Sequence, residues 1–438
     1  MTARVLRNRD VEGEEAIERY LNGTLDQLYD PHQMKDMDKA AALILEKIRQ
    51  GVRIRIVGDY DIDGVCSTYL LYRGLARCGG QVDYQIPERI RDGYGINESI
   101  IRKAKEDGID TIVTCDNGIA ALEQIRLAKE LGMTVIVTDH HEVVRAEDGS
   151  QILPQADAVV NPHRDDCSYP FAGICGGVVA YKLVQVLYEV HKVPREEWLS
   201  LLEIAAIATV GDVMKLQGEN RIIVKEGLCR LGHTYNLGLR KLIEKNNLAA
   251  DSITAYHIGF VIGPCLNASG RLQTAKLALG LLLCEDEAEA DRMAQELKEL
   301  NDQRKDMTQA GIDDAAAMVD ELYQDDKVLV VFLPDCHESL AGIVAGRLRE
   351  RYGKPSFVLT RAEGCAKGSG RSIEAYHMFH ALVEVKDLLL KFGGHPMAAG
   401  FSLREEDVDE FRRRLNENAR ERLTEEDFIP RVWIDVAM

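Results

Sequence analysis

The chain has 438 residues, 46% apolar and 29% charged, with a net charge of −18. That composition is ordinary for a globular protein of two or three domains. No run of about 18 apolar residues is present to span a membrane. The ten cysteines contain no CxxC pair and read as core thiols of a reducing compartment rather than a disulfide frame or a zinc site. No apolar stretch follows the charges of MTARVLRNRD, so no signal peptide and a cytoplasmic location are expected. Taken alone, the acidic excess argues against a nucleic-acid partner. A metal centre needs carboxylates of its own, however, and a binding groove needs only local positive charge.

In chain order, residues 1–50 are polar-amphipathic and expected to be helical, as in DKAAALILEKIRQG. Short β-rich runs then alternate with helical stretches. RIRIVGD, VDYQIPE, DTIVTCDNG, MTVIVTDHH and ADAVVNP read as strands. STYLLYRGLARCGG, NESIIRKAKEDG and ALEQIRLAKELG read as helices that end near a glycine. This alternation predicts βαβ units and a mostly parallel sheet. From about 177 to 310 the pattern is helical and ends in the charged stretch EDEAEADRMAQELKELNDQRKDM, a connector between two lobes. A second alternating region follows. DKVLVVFLP and PSFVLT are its strands, SLAGIVAGRLRERYG is the helix between them, and the glycine-rich stretches KGSGRS and FGGHPMAAG come after. RVWIDVAM reads as the start of a strand. The expected architecture is α/β: an N-terminal helical segment (1–50), a parallel-sheet domain (51–235), a helical connector (236–320) and a smaller α/β domain (321–438).

Candidate metal ligands cluster at strand ends. GDYDIDG, directly after RIRIV, places Asp59, Asp61 and Asp63 at alternate positions. An EF-hand loop also opens D-x-D-x-D-G, but its twelfth position would need an acid where this chain has Leu70, and a helix should precede it. A turn of solvated acids is the plainer alternative. Three aspartates behind a buried strand repel one another and call for a cation. Asp116 in TCDNG and the TDHH run of Asp139, His140 and His141 follow two further strands. All three sets would share the C-terminal edge where open α/β sheets place their sites. Asp212 in ATVGDVM has an even alternative as a helix-end acid. Carboxylates with one or two imidazoles suit two Mn²⁺ or Mg²⁺ ions, a pair able to hydrolyse a phosphate ester without a covalent intermediate.

GDYDIDG, TCDNG, TDHH and GDVM, in this order, resemble the four motifs of the DHH phosphoesterase family. FGGHPMAAG is similar to the GGH motif of the family's C-terminal domain. IPERIRDGYGIN, NPHRDDCSYPFAGICGG, CLNASGRL and GSGRS resemble the RecJ-type single-stranded-DNA-specific exonucleases within it. The resemblance covers residues 5–435 and implies an active site in a cleft between the two domains. It implies metal ligands at Asp59, Asp61, Asp63, Asp116, His140 and Asp212, with Asp59 the least closely matched. Asp139, His141 and Asp116 would carry the chemistry, His141 facing the scissile phosphate. Phosphate and nucleic-acid contacts would come from Arg271, Ser369, Arg371, Ser372, Gly393, Gly394 and His395, and by a looser match from His337. Arg89 and Arg91 are further groove candidates, or ordinary surface arginines.

What the resemblance implies for function is 5′-to-3′ release of mononucleotides from single-stranded DNA in repair and recombination. A single-stranded-DNA-binding protein or a helicase would be the protein partner. RecJ-type members continue into an OB-type domain that would begin where this chain ends, so weaker binding and lower processivity are expected with the chemistry intact. A DHH-family oligonucleotide or cyclic-dinucleotide phosphodiesterase is the first alternative. Such proteins often carry a histidine four residues before the position of Asp61, where this chain has Val57. A non-catalytic DHH-derived nucleic-acid-binding scaffold is the second alternative, set against the presence of every motif acid and histidine.

Overall fold

A computed structural model describes residues 2–429, 431 and 434. The expected strand at RVWIDVAM lies, apart from 431 and 434, outside the described residues. The chain divides into two compact units, Met1–Asn301 and Asp302–Met438. Among the described residues, no helix is long and apolar enough to cross a membrane.

The first unit is built on five strands: β1 (Arg53–Val57), β2 (Gln81–Gln85), β3 (Thr111–Cys115), β4 (Thr134–Thr138) and β5 (Ala158–Val160). All pair in parallel, in the order β2-β1-β3-β4-β5. The connecting helices Glu98–Glu106 and Leu122–Glu130 close on left-handed glycines, Gly108 (φ 72°) and Gly132 (φ 75°), as their sequences predict. These two helices bury Ile100, Ile101, Ala104, Ile125 and Ala128 on one face of the sheet. On the other face lie Met37–Arg49, Ile62–Arg77, Gly176–His191 and Leu202–Gly211, in a larger core. Helices cover both faces of the sheet, which is why β3 is buried along its whole length. The strand order reverses between β1 and β3, so their C-terminal ends open a crevice.

The N-terminal segment does not stand apart. Met34, Met37, Ala40, Ala41 and Ile44 are in the same core as the sheet, and so are Leu239, Leu242 and Leu279 from the expected connector. A buried ion pair ties this segment down: Lys182 Nζ lies 2.9 Å from Glu219, both side chains being 0% exposed. Lys182 also donates to the Tyr29 carbonyl at 2.6 Å. Glu219 accepts from the Tyr169 hydroxyl and the Tyr29 amide. The charged helix is longer than its sequence pattern suggests, running from Glu287 to Leu322.

The second unit carries a mixed sheet, β6 (Leu329–Phe332), β7 (Ser356–Ala362), β8 (Cys365–Arg371), β9 (Leu389–Gly394) and β10 (Ala398–Leu403), in the order β6-β7-β8-β10-β9. Among the described residues of this sheet, only β6 and β7 pair in parallel. The glycine-rich stretches KGSGRS and FGGHPMAAG lie largely in strands, the first in β8 and the second in β9 and β10. Their glycines answer a packing demand: a Cβ on Gly368 would stand 2.3 Å from the Phe401 ring, and one on Gly370 would stand 2.4 Å from Met378 and 2.7 Å from Phe357. Aromatic rings lying over a strand leave room only for glycine.

Candidate metal centre

The acids and histidines of the first unit converge at the crevice. Asp59 and Asp116 each lie two residues beyond the paired Val57 and Thr114, and Asp139 follows Thr138, the partner of Cys115. The three are therefore level across the sheet edge, and all are buried. Asp63 enters from the first turn of Ile62–Arg77. Its two oxygens accept the amides of Gly176 and Gly177, each at 2.7 Å, at the N-terminus of Gly176–His191. Neither glycine can carry a side chain: a Cβ on Gly176 would stand 2.8 Å from the Asp116 Cβ, and one on Gly177 would stand 2.5 Å from Ala208. Asp212 follows Leu202–Gly211 and completes the ring.

His140 stands at the middle. Its Nε2 is 3.1 Å from Asp116, 3.6 Å from Asp63 and 3.7 Å from Asp212. Two ligand sets result, each with its donor atoms within 4.8 Å of one another: Asp116, His140 and His141, and Asp63, His140 and Asp212. Both contain His140. Asp59 and Asp61 are in neither set. Asp59 accepts the Gly95 amide at 3.1 Å, and Asp61 caps its helix by accepting the Gly64 amide at 3.0 Å.

The electrostatics call for cations. Burial first, then Asp61, pushes the Asp59 carboxyl up to about 8. Burial, with Asp63 and Asp61, pushes Asp212 up to about 8. Burial and the neighbouring aspartates hold Asp116 well above the carboxylate range. Several carboxylates in one dry site cannot all ionise without a counter-charge. Two buried atoms, Asp59 Oδ2 and His140 Nε2, have no hydrogen-bond partner. Burial also lowers the proton affinity of His140, which keeps its lone pair available. Orphaned acceptors, oxygen and imidazole donors and sub-5 Å spacing fit a pair of hard divalent ions.

Asp139 is engaged differently from the other acids. Its Oδ1 accepts from the His140 amide at 2.8 Å, the His141 amide at 3.2 Å and His141 Nδ1 at 2.8 Å, and its Oδ2 accepts the Ile119 amide at 2.9 Å. Burial would raise this carboxyl, but His141 and the amides outweigh it and hold it low. Burial likewise opposes charge on His141, yet Asp139 carries that imidazole up to about 9. Both Asp139 oxygens are thus engaged, and Oδ1 fixes the His141 ring through its Nδ1.

Three residues escaped the sequence reading. Tyr94 donates to the Asp116 carbonyl at 2.7 Å and stands 3.2 Å from His141 Nε2. Asn117 accepts the Ile96 amide and donates to the Val57 and Cys115 carbonyls, fastening the 86–97 loop to the sheet. Asn161 donates to the His141 carbonyl at 2.9 Å. Tyr94 sits inside IPERIRDGYGIN, one of the segments that carry the resemblance. Arg89 lies over the Tyr60 ring at 4.8 Å, beside Asp59. Arg91 is paired with Asp92 and Glu88 on the surface. Arg271 is near Tyr60 because Gly270 packs on the Tyr60 carbonyl, 2.4 Å from where a Cβ would be.

In the second unit, pairing aligns Ser369 with Gly400 and Gly393, and Lys367 with Ser402 and Lys391. Alternation puts Lys367, Ser369, Arg371, Lys391 and Gly393 on one face of the sheet. Lys391 is a further cation the sequence reading passed over. Arg371 donates to Ser369 Oγ at 3.2 Å and to the Gly370 carbonyl at 2.8 Å. Gly393, Gly394 and His395 are exposed at the β9–β10 hairpin. Ser372 is fully buried and donates to the Tyr376 carbonyl, so its hydroxyl is committed to the fold rather than presented to a phosphate. His337 caps the short turn Glu338–Leu340 by accepting the Ser339 hydroxyl at 2.8 Å and the Ser339 amide at 3.3 Å.

The family model for the DHH family, N-terminal domain, matches residues 53–209, and that for the DHHA1 domain matches 325–421. The single-stranded-DNA-specific exonuclease RecJ of Salmonella typhimurium is 35% identical over 99% of this chain and 75% of its own length. The chain belongs to the RecJ branch of the DHH family. The RecJ of Bacillus subtilis is 41% identical over the whole of this chain, which spans 54% of that relative's length. A crystal structure of exonuclease RecJ bound to manganese superposes with a TM-score of 0.78 at 35% identity, covering 88% of this chain and 95% of that one.

Within this RecJ-like site, Asp139→Asn is expected to slow turnover about 10- to 100-fold. An amide has a single acceptor oxygen and would turn its NH₂ toward either the Ile119 amide or the histidine donors. A Mn²⁺-induced rise in Tm should persist in this variant, since Asp63, Asp116, His140 and Asp212 are untouched. Turnover at the wild-type rate would remove the positioning role.

Proposed function

We propose that this chain is the core of a metal-dependent exonuclease that hydrolyses single-stranded DNA from its 5′ end to mononucleotides, in DNA repair and recombination. The observation that carries the reading is the pair of ligand sets sharing His140, in a chain of the RecJ branch. Two ions, Mn²⁺ or Mg²⁺, when bound supply an acidified water and neutralise charge on the leaving oxygen. Asp63, Asp116, His140 and Asp212 would be the ligands, with Asp59 and Asp61 adding charge beside them; His141, which the spacing also allows as a ligand, is held by Asp139 and left to the substrate.

The rest is the work of the chain's own groups. The Gly176 and Gly177 amides fix the Asp63 carboxylate, so its geometry costs nothing to arrange when substrate arrives. Asp139 keeps His141 protonated and holds its Nδ1, leaving Nε2 beside the Tyr94 hydroxyl as a donor to a phosphate oxygen. Arg271 offers a guanidinium fork to the strand, as do Ser369, Arg371, Gly393, Gly394 and His395 of the second unit with hydroxyl, guanidinium and backbone donors. The same reading takes a single-stranded-DNA-binding protein or a helicase as partner and the cytoplasm as location.

The test is incubation with Mn²⁺ and a single strand labelled at either end, beside a duplex and a dinucleotide. Stepwise release of mononucleotides from the 5′ end of the single strand alone is expected. Cleavage confined to the dinucleotide would favour the short-substrate phosphodiesterase. No metal-dependent release from any of them would leave a non-catalytic scaffold.

A further inference from the structure

An exposed aromatic pair lies on the first unit, outside every role assigned above. Tyr256 and Phe260 are 63% and 67% exposed. Their rings stack with centroids 4.8 Å apart and planes 26° apart. Two large rings stacked on each other in water form a small apolar patch of the kind a partner can cover. Phe260 belongs to the π-helical turn Ile258–Ile262, which joins Ala255–His257 to the helix Gly263–Leu272. Such turns weaken a helix and recur at functional sites.

The inner side of this segment rests on residues that flank the metal centre in sequence. A Cβ on Gly259 would lie 3.7 Å from Val210, two residues before Asp212. One on Gly263 would lie 3.1 Å from Ile62, which sits between Asp61 and Asp63. Val213, next to Asp212, is 87% exposed. On the outer side, half-buried Pro264, Asn267 and Arg271 follow Phe260 at spacings of four, three and four, which keeps them on one side of a helix. One face therefore runs from the aromatic pair to Arg271, a distance of about 16 Å for eleven helical residues.

We propose that Tyr256 and Phe260 form a stacking platform for an unpaired base of the bound strand, a few nucleotides from the phosphate being cleaved. The proposal deepens the single-strand reading and rests on it. A ring pair accepts any base, because every base has a π-face. A base inside a duplex is already stacked on both sides and paired, so it must leave its helix to use the platform. The platform therefore favours single strands over duplex without reading sequence.

The test uses the full chain in Mn²⁺ and a single strand whose 5′ linkages are phosphorothioates, to slow hydrolysis, with 2-aminopurine placed at successive positions. On the wild type, one or two adjacent positions should change fluorescence on binding, and Phe260→Tyr should keep that change. In Tyr256→Ala/Phe260→Ala the change should vanish and Kd for the strand should rise about ten-fold. The kcat on a saturating natural strand should stay near wild type. Both side chains are exposed, so the fold is not at stake. Equal Kd and equal fluorescence in the double variant would overturn the platform. So would unchanged strand binding together with loss of self-association in sedimentation, which would make the pair a protein interface. Failure of the single-strand reading itself is separate: the wild type would release no nucleotide from a natural strand, whatever the variant binds.

Discussion

Asp116→Asn and His140→Ala are expected to lower mononucleotide release on the order of 10³-fold or more while the protein stays folded. Both residues supply donor atoms to the cluster, and His140 is in both sets, so its loss opens both. Asparagine is the informative replacement at 116. The backbone there is left-handed, with φ 59°, which asparagine tolerates and alanine does not, at about 1–2 kcal/mol. Asp116→Asn also removes a buried carboxyl that, without metal, must either stay protonated or repel its neighbours. The metal-free variant should therefore melt at or above the wild-type temperature even as activity collapses, a trade of stability against function. Mn²⁺ should raise the wild-type Tm by linkage, about 2.7 kcal/mol for one site at a hundred-fold excess over Kd, and raise that of either variant far less. Wild-type turnover in either variant, or an undiminished Mn²⁺ shift, would remove that residue from the metal centre.

Lys182→Met is expected to cost about 3–5 kcal/mol of stability. The pair it breaks is fully buried, and Glu219 would keep only the Tyr169 hydroxyl and the Tyr29 amide to offset its charge. The Tyr29 carbonyl would lose its ammonium donor as well. Urea unfolding should show the loss as a lower midpoint with an unchanged m value. A double variant, Lys182→Met with Glu219→Gln, should recover much of it, because the main cost is the stranded charge rather than the lost pair. A single variant within 1 kcal/mol of wild type would mean that water reaches Glu219. The pair matters for function indirectly: it fixes the segment before β1 to Gly176–His191, whose first two amides hold Asp63.

The first sheet and the edge that carries the chemistry were legible in local sequence. Runs such as TIVTC and TVIVT could only be strands covered on both faces, and acids or histidines directly after them had to emerge together at one end. Glycine stops placed the helices for the same reason: their information lies within a few residues of chain. Other features depend on residues far apart in sequence and emerge only when the chain is folded. That Asp63 is held by Gly176 and Gly177, that Asp139 is spent on His141, and that Tyr94 reaches across to Asp116 are contacts without period or local pattern. The glycine-rich strands β8 and β9 were hidden because glycine signals a turn locally, whereas here the Phe401 and Phe357 rings above β8 require it. The aspartate–histidine cluster was legible as a list of residues. Its division into ligands, positioning groups and a helix cap was not, because that depends on which oxygens the surrounding backbone has already taken.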